Sequence, residues 1–359
     1  MNLFSRYIIT LYLKYFFILF VSLECFFVLI DLVKYLDELP QSANLIVLLI
    51  FYDFVYASNY ILPLSLVLAQ IVLVISMLRN SQFTAFLAIG YAKFRILLPF
   101  FTLSLLITCI FIILNATPFA YAKERVDLII DQGFVGNFKS DLFIKYNNNY
   151  IYFQKIYPLL RSAEGVVVYE FDTENNTLSR IVESQKAKFN DINAEWVLEN
   201  VTITALDKNL AIGKNPLIIQ KETTYTTLHG FRPKILENIY EEKGNVSIID
   251  AYEAFVLLKE QGANTQKVRG AIYNLIFFPL FAPFIMVCLA VFIPNSNRYA
   301  NLGLMSLGMI LGVLVIWGVF FSFSKLSASG FLQPEFSVLM PIFVLFLVSS
   351  FCFYKILKT

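Results

Sequence analysis

Six apolar stretches, at roughly residues 9–33, 57–78, 96–117, 271–293, 301–323 and 337–355, approach or exceed the ~20 residues that a helix needs to cross the hydrocarbon core of a bilayer. No other feature narrows the choice of fold as much. In hydrocarbon every backbone N–H and C=O must find its partner within the protein, and runs of this length do so as helices. The runs fall as three, then a polar gap at residues 118–268, then three more. Composition agrees: 58% of residues are hydrophobic, 15% are charged and the mean hydropathy is +0.67, whereas soluble domains are nearer a quarter charged. A net charge of +2 with no dense basic stripe argues against a nucleic-acid binder.

The second run is the irregular one. Apolar sequence begins at Leu45, but Asp53 and Asn59 interrupt it, so residues 44–56 are expected either to lie at the outer surface or to extend the span. Pro63 is tolerated within a span because neighbouring helices or water satisfy the freed carbonyl. The first run is too long for a signal-peptide core and no A-x-A site follows, so it reads as a retained span. Cys25, Cys109, Cys288 and Cys352 all lie in apolar runs and are expected to behave as small apolar residues rather than a disulfide framework.

Basic residues in short loops set the orientation. With the N-terminus inside, the inner segments carry Arg6, Arg79, Lys93, Arg95, Arg298, Lys355 and Lys358 and no acid. The short outer loops carry Lys34 and Lys325 with Asp37, Glu38 and Glu335. Both termini are therefore expected in the cytoplasm and residues 118–268 on the far side of the membrane.

That middle region reads mostly as strands: DLFIKY, YIYFQKI, EGVVVYEF, TLSRIV, AEWVLEN, NVTITAL and ETTYTTL are short, rich in β-branched or aromatic residues and partly alternating. Turn residues separate them, at Asn147-Asn148-Asn149, Glu174-Asn175-Asn176 and Asp207-Lys208-Asn209. Seven or more antiparallel strands suggest a sandwich or jelly roll. A helix follows in SIIDAYEAFVLLKEQG, where Ser247 and Asp250 resemble a capping box and Gly262 is a plausible stop. The expected organisation is residues 1–117 as three spans with a short cytoplasmic helix at 80–90, 118–246 as the β domain, 247–268 as a linking helix, and 269–359 as three further spans.

Catalytic signatures are missing. The chain has no G-x-x-x-x-G-K-[ST] phosphate loop. Its single histidine, His229, cannot build a metal site without partners. No nucleophile–base constellation stands out, so neither enzyme activity nor a cofactor or metal is expected.

Charge within the spans is the more informative signal. Glu24 sits near the middle of the first run, where a charge facing lipid costs roughly 2.5–3.5 kcal/mol on insertion scales. Asp31 lies seven residues on, near the same helical face, and Lys34 follows. These groups read either as a polar wall along the path of a charged amphiphile or as an ion network with Asp37 and Glu38 at the membrane rim. The second signal is RNSQFTAFLAIGYAKFR, residues 79–95, which carries three basic residues and no acid. Phe83, Phe86, Leu87 and Gly90 fall at i, i+3, i+4 and i+7, one face of a helix. An apolar face in a cytoplasmic loop is expected to be buried on a partner or on the membrane surface.

The order of parts and several motifs resemble the LptF/LptG permease family of the lipopolysaccharide export transporter. The carriers are SRYIITLYLKYF at the start, LPLSLVLAQIVLVISMLRNSQFTAFLAIGYAKFRILLPF with Pro63, Arg79-Asn80-Ser81, Gly90 and Pro99, then YNLIFFPLFAPFIM with Pro279, and GFLQPEFSVLMP near the end. NNNYIYFQKI, GVVVYEF and AEWVL resemble the LptG branch more than the LptF branch. The resemblance implies an α-helical membrane protein with six transmembrane helices and a periplasmic antiparallel β jelly-roll-like domain between the third and fourth. It implies an inner-membrane permease subunit that extracts lipopolysaccharide and passes it to a periplasmic bridge protein with a β jelly roll, by edge-strand pairing. Its partners would be a homologous second permease and two cytoplasmic ATPase subunits.

It also implies residue roles. Gln82, Phe83, Phe86, Leu87 and Gly90 would couple to the ATPase, with Gln82 standing where the family usually has Glu. Lys123 and Arg125, just past the third span, match basic residues of the family. With Lys34, Glu24 and Asp31 they would contact the lipid, and the first and fifth spans would border a lateral opening. One alternative is an ABC permease that regulates a periplasmic partner without moving lipid, for which four spans are usual. Another is a membrane sensor, which would need a cytoplasmic output domain longer than residues 79–95.

Overall fold

The computed structural model describes residues 3–36, 39–40, 42–130, 139–146, 149–157, 160–172, 177–190, 193–205, 218–231, 247–260, 265–295 and 301–358. Asp37, Glu38, Asn147, Asn148, Glu174 to Asn176, Asp207 to Asn209, Gly262 and Arg298 lie outside the described residues. The chain divides into two compact units, one made mainly of residues 1–130 and 266–359 and the other mainly of residues 131–244.

The helical unit contains α1 (Leu3–Lys34), α2 (Ala43–Arg79), α3 (Gln82–Ala88), α4 (Lys93–Leu114) and α5 (Ala122–Ile130). After the other unit, α6 (Ile248–Glu260) leads back to α7 (Gln266–Phe277), α8 (Phe281–Val291), α9 (Leu302–Ala328), a π-helical turn (Glu335–Leu339) and α10 (Met340–Lys358). Among the described residues six helices are long and apolar enough to cross a membrane: Leu3–Lys34, Ala43–Arg79, Lys93–Leu114, Gln266–Val291, Leu302–Ala328 and Glu335–Lys358. The fourth of these is α7 and α8 joined through a 3-10 turn at Phe278–Leu280, where Pro279 withholds a backbone donor.

Residues 44–56 extend the second span, as one of the two readings held. α2 is a single helix of 37 residues. The acid that seemed to interrupt it, Asp53, is turned inward and buried, so it marks a packed face rather than a break. α2 is also the most enclosed of the six, with 72% of its apolar window covered by the rest of the protein, against 22% for α1 and 11% for α9. Around it the core gathers Tyr12, Leu66, Leu73, Met77, Phe100, Phe281 and Met286. Polar side chains pin the packing. The Tyr12 hydroxyl donates to the Leu66 carbonyl at 2.9 Å, and Gln70 Nε2 donates to the Met286 carbonyl at 3.0 Å. The Lys93 ammonium caps the end of α8, donating to the Ile293 carbonyl at 2.6 Å, which is where a helix presents unpaired carbonyls and favours a cation. The four cysteines are free thiols within helices.

The second unit is an antiparallel sheet of β1 (Lys139–Tyr146), β2 (Asn149–Tyr157), β3 (Ser162–Phe171), β4 (Leu178–Asn190), β5 (Glu195–Ala205) and β6 (Ile218–Thr227). Among the described residues these form one sheet in the order β1-β2-β3-β4-β5-β6, each strand pairing with its sequence neighbour. The expected strands AEWVLEN and NVTITAL are one strand, β5. Asn200 takes a left-handed conformation (φ 54°), and pairing to β6 continues on both sides of it, from Glu199 with Thr224 to Val201 with Glu222. Asn tolerates that conformation better than most residues, so a sequence that looks broken continues as a bent strand. The sheet's core is built on Trp196, Phe153 and Phe231. The Trp196 indole donates to the Phe231 carbonyl at 2.8 Å, and its ring lies 5.6 Å from that of Phe153.

Candidate functional site

A polar cluster occupies the ends of α1, α2 and α5. The buried residues of α1 run Ile8, Tyr12, Phe16, Glu24, Val28 and Asp31, a stripe at helical spacing. Its apolar half ends where Glu24 begins, so the last turns of α1 present acids to α2. Asp31 is buried and pairs with Lys34, whose own side chain is 62% exposed. Asp53 of α2 is buried with no hydrogen-bond partner for either oxygen; the charges acting on it are Asp31, Lys123 and Lys34.

Lys123 enters this cluster from α5. Its ammonium donates to the Tyr35 hydroxyl at 2.9 Å, lies 3.3 Å from the Asp127 carboxylate, and sits 5.3 Å from the ring centres of both Tyr35 and Tyr56. Burial alone would lower its pKa. The Tyr35 hydroxyl and the Asp127 carboxylate outweigh that and hold it above the ordinary lysine value. It stays charged because the cage supplies the charge stabilisation that water would otherwise give. Arg125, one turn-face away, is exposed and lies over the Tyr52 ring at 5.4 Å.

The structure therefore brings Asp31, Lys34 and Lys123 together and places Arg125 beside them. Glu24 lies deeper, fully buried with neither oxygen hydrogen-bonded. Ser58 is its nearest polar influence along with Asp53, but the Ser58 hydroxyl donates to the Phe54 carbonyl at 3.1 Å. Lys34 and Arg125 are exposed residues, while Lys123 is committed to the cage. Such an arrangement can hold an anionic headgroup outside while an apolar body stays in the membrane. Sequence reasoning missed Asp53, Tyr35, Tyr52, Tyr56 and Asp127. Asp53 was visible as an acid in an apolar run, and Asp127 as the i+4 partner of Lys123.

The inner loop carries α3. Ser81 precedes it with φ 58°, and Gly90 follows with φ 96° and open space where a Cβ would stand. The apolar face packs in part on the chain itself, with Phe83 buried and Phe86 and Leu87 half-buried. Phe83 is fully buried in the core that also holds Met77, Phe100 and Ile96. Phe86 packs edge-on to Phe4 at 4.7 Å, and Leu87 is partly buried on the same core. The face is partly covered because α3 packs against α1, α2 and α4. Gln82 accepts a hydrogen bond from Tyr7 at 3.2 Å. The side left outward consists of Ala85, Ala88, Ile89 and Gly90, with Ile89 73% exposed.

The sequence profile described as lipopolysaccharide export system permease LptF/LptG matches residues 6–355. The chain belongs to the LptF/LptG family. It is also similar to the lipopolysaccharide export system permease protein LptG of Haemophilus influenzae, at 19% identity over 245 residues, covering 67% of this chain and 66%, just under two-thirds, of that relative. That is a weak match to the LptG branch, consistent with the strand motifs that pointed to it. LptF/LptG chains are multi-pass inner-membrane proteins with a periplasmic domain, and the six apolar helices with an inserted antiparallel sheet fit that description. Among the described residues no group of three or more His, Cys, Asp or Glu could hold a metal ion.

Proposed function

We propose that this chain is a permease subunit of an ABC transporter that takes lipopolysaccharide from the inner membrane and passes it to a periplasmic bridge protein. The observation that carries the reading is the gathering of Lys34, Lys123 and Arg125 at the ends of α1 and α5 in a member of the LptF/LptG family. Lys34 and Arg125 are exposed residues, and the Lys34 side chain stays 62% exposed although its ammonium pairs with Asp31.

In this reading the chain works with a homologous second permease and two cytoplasmic ATPase subunits, which hydrolyse the ATP. The least enclosed spans, α1 and α9 among them, border the lateral opening. On α9, Gly308 and Gly312 stand four residues apart, with nothing within 4 Å of where a Cβ would be, the small-residue pattern that lets a second helix approach closely. Residues 118–246 form the periplasmic domain, 247–268 the link back to the membrane, and β1 and β6, the outermost described strands, supply the edges for the bridge protein. α3 transmits the motion of the ATPase. Its contact surface is the outward side at Ala85, Ala88 and Ile89 with Gln82 at its start, while Phe83, Phe86 and Leu87 tie it to the spans. A permease that only regulates a partner is disfavoured by the presence of six spans rather than four.

The test is purification with chromosomal neighbours, followed by photocrosslinking from position 33, an exposed residue of α1 next to Lys34. The expected result is a co-purifying ATPase and second permease and a lipopolysaccharide adduct that Arg125→Glu with Lys34→Glu abolishes. Unchanged crosslinking and export in that double variant would refute the lipid role of the cluster.

A further inference from the structure

At the end of the helical unit that carries α3, the chain leaves α8 through Phe292 and Ile293, whose amides close the last turn onto the Leu289 and Ala290 carbonyls. Carbonyls at and beyond such an end have no helical donor. Two donors from elsewhere in the sequence take them. Lys93 Nζ, from the first residue of α4, donates to the Ile293 carbonyl at 2.6 Å. The Thr84 hydroxyl, from α3, donates to the Asn295 carbonyl at 3.2 Å. α3 and the start of α4 thus grip the same short segment at carbonyls two residues apart.

Lys93 is the unusual member of the pair. It is buried, and the charge acting on it is another cation, Lys355. A buried ammonium is costly unless it is held; here the Ile293 carbonyl and the negative end of the α8 dipole hold it. An apolar side chain of the same length would fill the space without that cost, so what the lysine adds is a directed bond. Drawing α8 away from α4 would strand the charge. The loop between the two donors is braced as well. The Gly90 amide donates to the Leu87 carbonyl at 3.0 Å and the Tyr91 amide to the Phe86 carbonyl at 3.1 Å, the paired closure that a left-handed glycine makes at a helix end. Tyr91 stacks on Phe4 with ring centres 4.5 Å apart. On the other side, α8 is seated in the core through Phe281, Ile285, Met286 and Ala290.

We infer that Lys93 and Thr84 latch the loop that carries α3 to α8, so that α3 and the adjoining half of the fourth span move as one body. Whatever displaces α3 then displaces α8 as well as α2, up to the 3-10 turn at Pro279 that separates α8 from α7. The latch consists of bonds within this chain and does not depend on the transport reading.

The test uses the full-length chain with its four native cysteines replaced by alanine and spin labels attached through Ile89→Cys and Phe292→Cys. The native side chains at these two positions are 73% and 70% exposed. Double electron–electron resonance then reads the distance between the end of α3 and the end of α8. The expected result is one narrow distance in the labelled chain with the latch intact. Lys93→Met, which keeps the length of the side chain and removes its charge and donors, adds a second, longer population. Thr84→Val, a mild change at a half-buried position, shifts a smaller part of the population the same way, and the two together shift most of it. Arg95→Met, at the exposed cation of the same helix end, leaves the narrow distance in place. A single narrow distance in the Lys93→Met, Thr84→Val chain would overturn the latch, as would equal broadening in Arg95→Met.

Discussion

Replacing Phe83 by alanine and, separately, Ile89 by aspartate divides the anchoring of α3 from its outward contact. Phe83 is fully enclosed by the helical core. Truncating a buried phenylalanine removes its transfer free energy and leaves a cavity, about 3–5 kcal/mol together. That is a fifth or more of the roughly 5–15 kcal/mol total stability of a typical domain. Ile89 is 73% exposed, and substitution at such a surface position is expected to change the stability of the isolated chain by about 0.5 kcal/mol or less. The assay is paired. Thermal unfolding of the purified permease in detergent reads the fold, and recovery of the ATPase on affinity purification reads the contact. Phe83→Ala is expected to lower the midpoint markedly, with any loss of ATPase following from that. Ile89→Asp is expected to leave the midpoint in place while ATPase recovery falls, because a carboxylate in an apolar groove is left unsolvated. A Phe83→Ala protein as stable as wild type would refute the burial argument. An Ile89→Asp protein with full ATPase recovery would refute the assignment of the outward side.

Other substitutions test the packing. At Gly270 an added Cβ would stand 2.7 Å from the Ser327 hydroxyl and 3.1 Å from its carbonyl oxygen, so Gly270→Ala should force α7 from α9 and cost about 1–3 kcal/mol, read as a lower unfolding midpoint. Trp196→Phe leaves the Phe231 carbonyl without its donor and should destabilise the β unit by about 1–3 kcal/mol, visible in proteolysis of that unit. Lys123→Met breaks the contacts to Tyr35 and Asp127; partial exposure reduces the loss to about 1–2 kcal/mol. Because the folded-state pKa of Lys123 lies above its ordinary 10.5, its contribution is fully present at neutral pH. The gap between wild type and Lys123→Met should close only as the pH rises past that value; a gap that closed near pH 8 would contradict the caged, charged state.

The spans were legible because the bilayer imposes length and hydropathy, and those survive without tertiary knowledge. The unity of α2 was not, because Asp53 reads as a break in one dimension and is an inward-facing contact in three. β5 was divided for a related reason: Asn200 carries a turn residue's signature, and only the pairing on both sides shows the strand continuing. The helical period of Phe83, Phe86 and Leu87 matches α3, but periodicity does not say on what a face packs; Phe83 is buried on the chain itself, and Phe86 and Leu87 are half-buried there. In the polar cluster, Asp31, Lys34, Lys123 and Arg125 stood out as charges beside apolar runs. Their aromatic company, Tyr35, Tyr52 and Tyr56, was invisible because tyrosine is at home in any membrane helix near the interface.

The length of α2 has a mechanical consequence. At 37 residues it is a rod of roughly 55 Å, well beyond the ~30 Å of the hydrocarbon core. One end adjoins α3 and the other carries Asp53 and the polar cluster. A tilt of about 5° around the inner end sweeps the outer end through roughly 5 Å over that length, more than a hydrogen bond can stretch. Pro63, which removes one rung of the helix ladder near the rod's middle, sets how much of that sweep arrives as rotation and how much is absorbed as bending. A small push on the loop that carries α3 is thus enough, by leverage alone, to change the spacing of the charged groups at the far end of the rod.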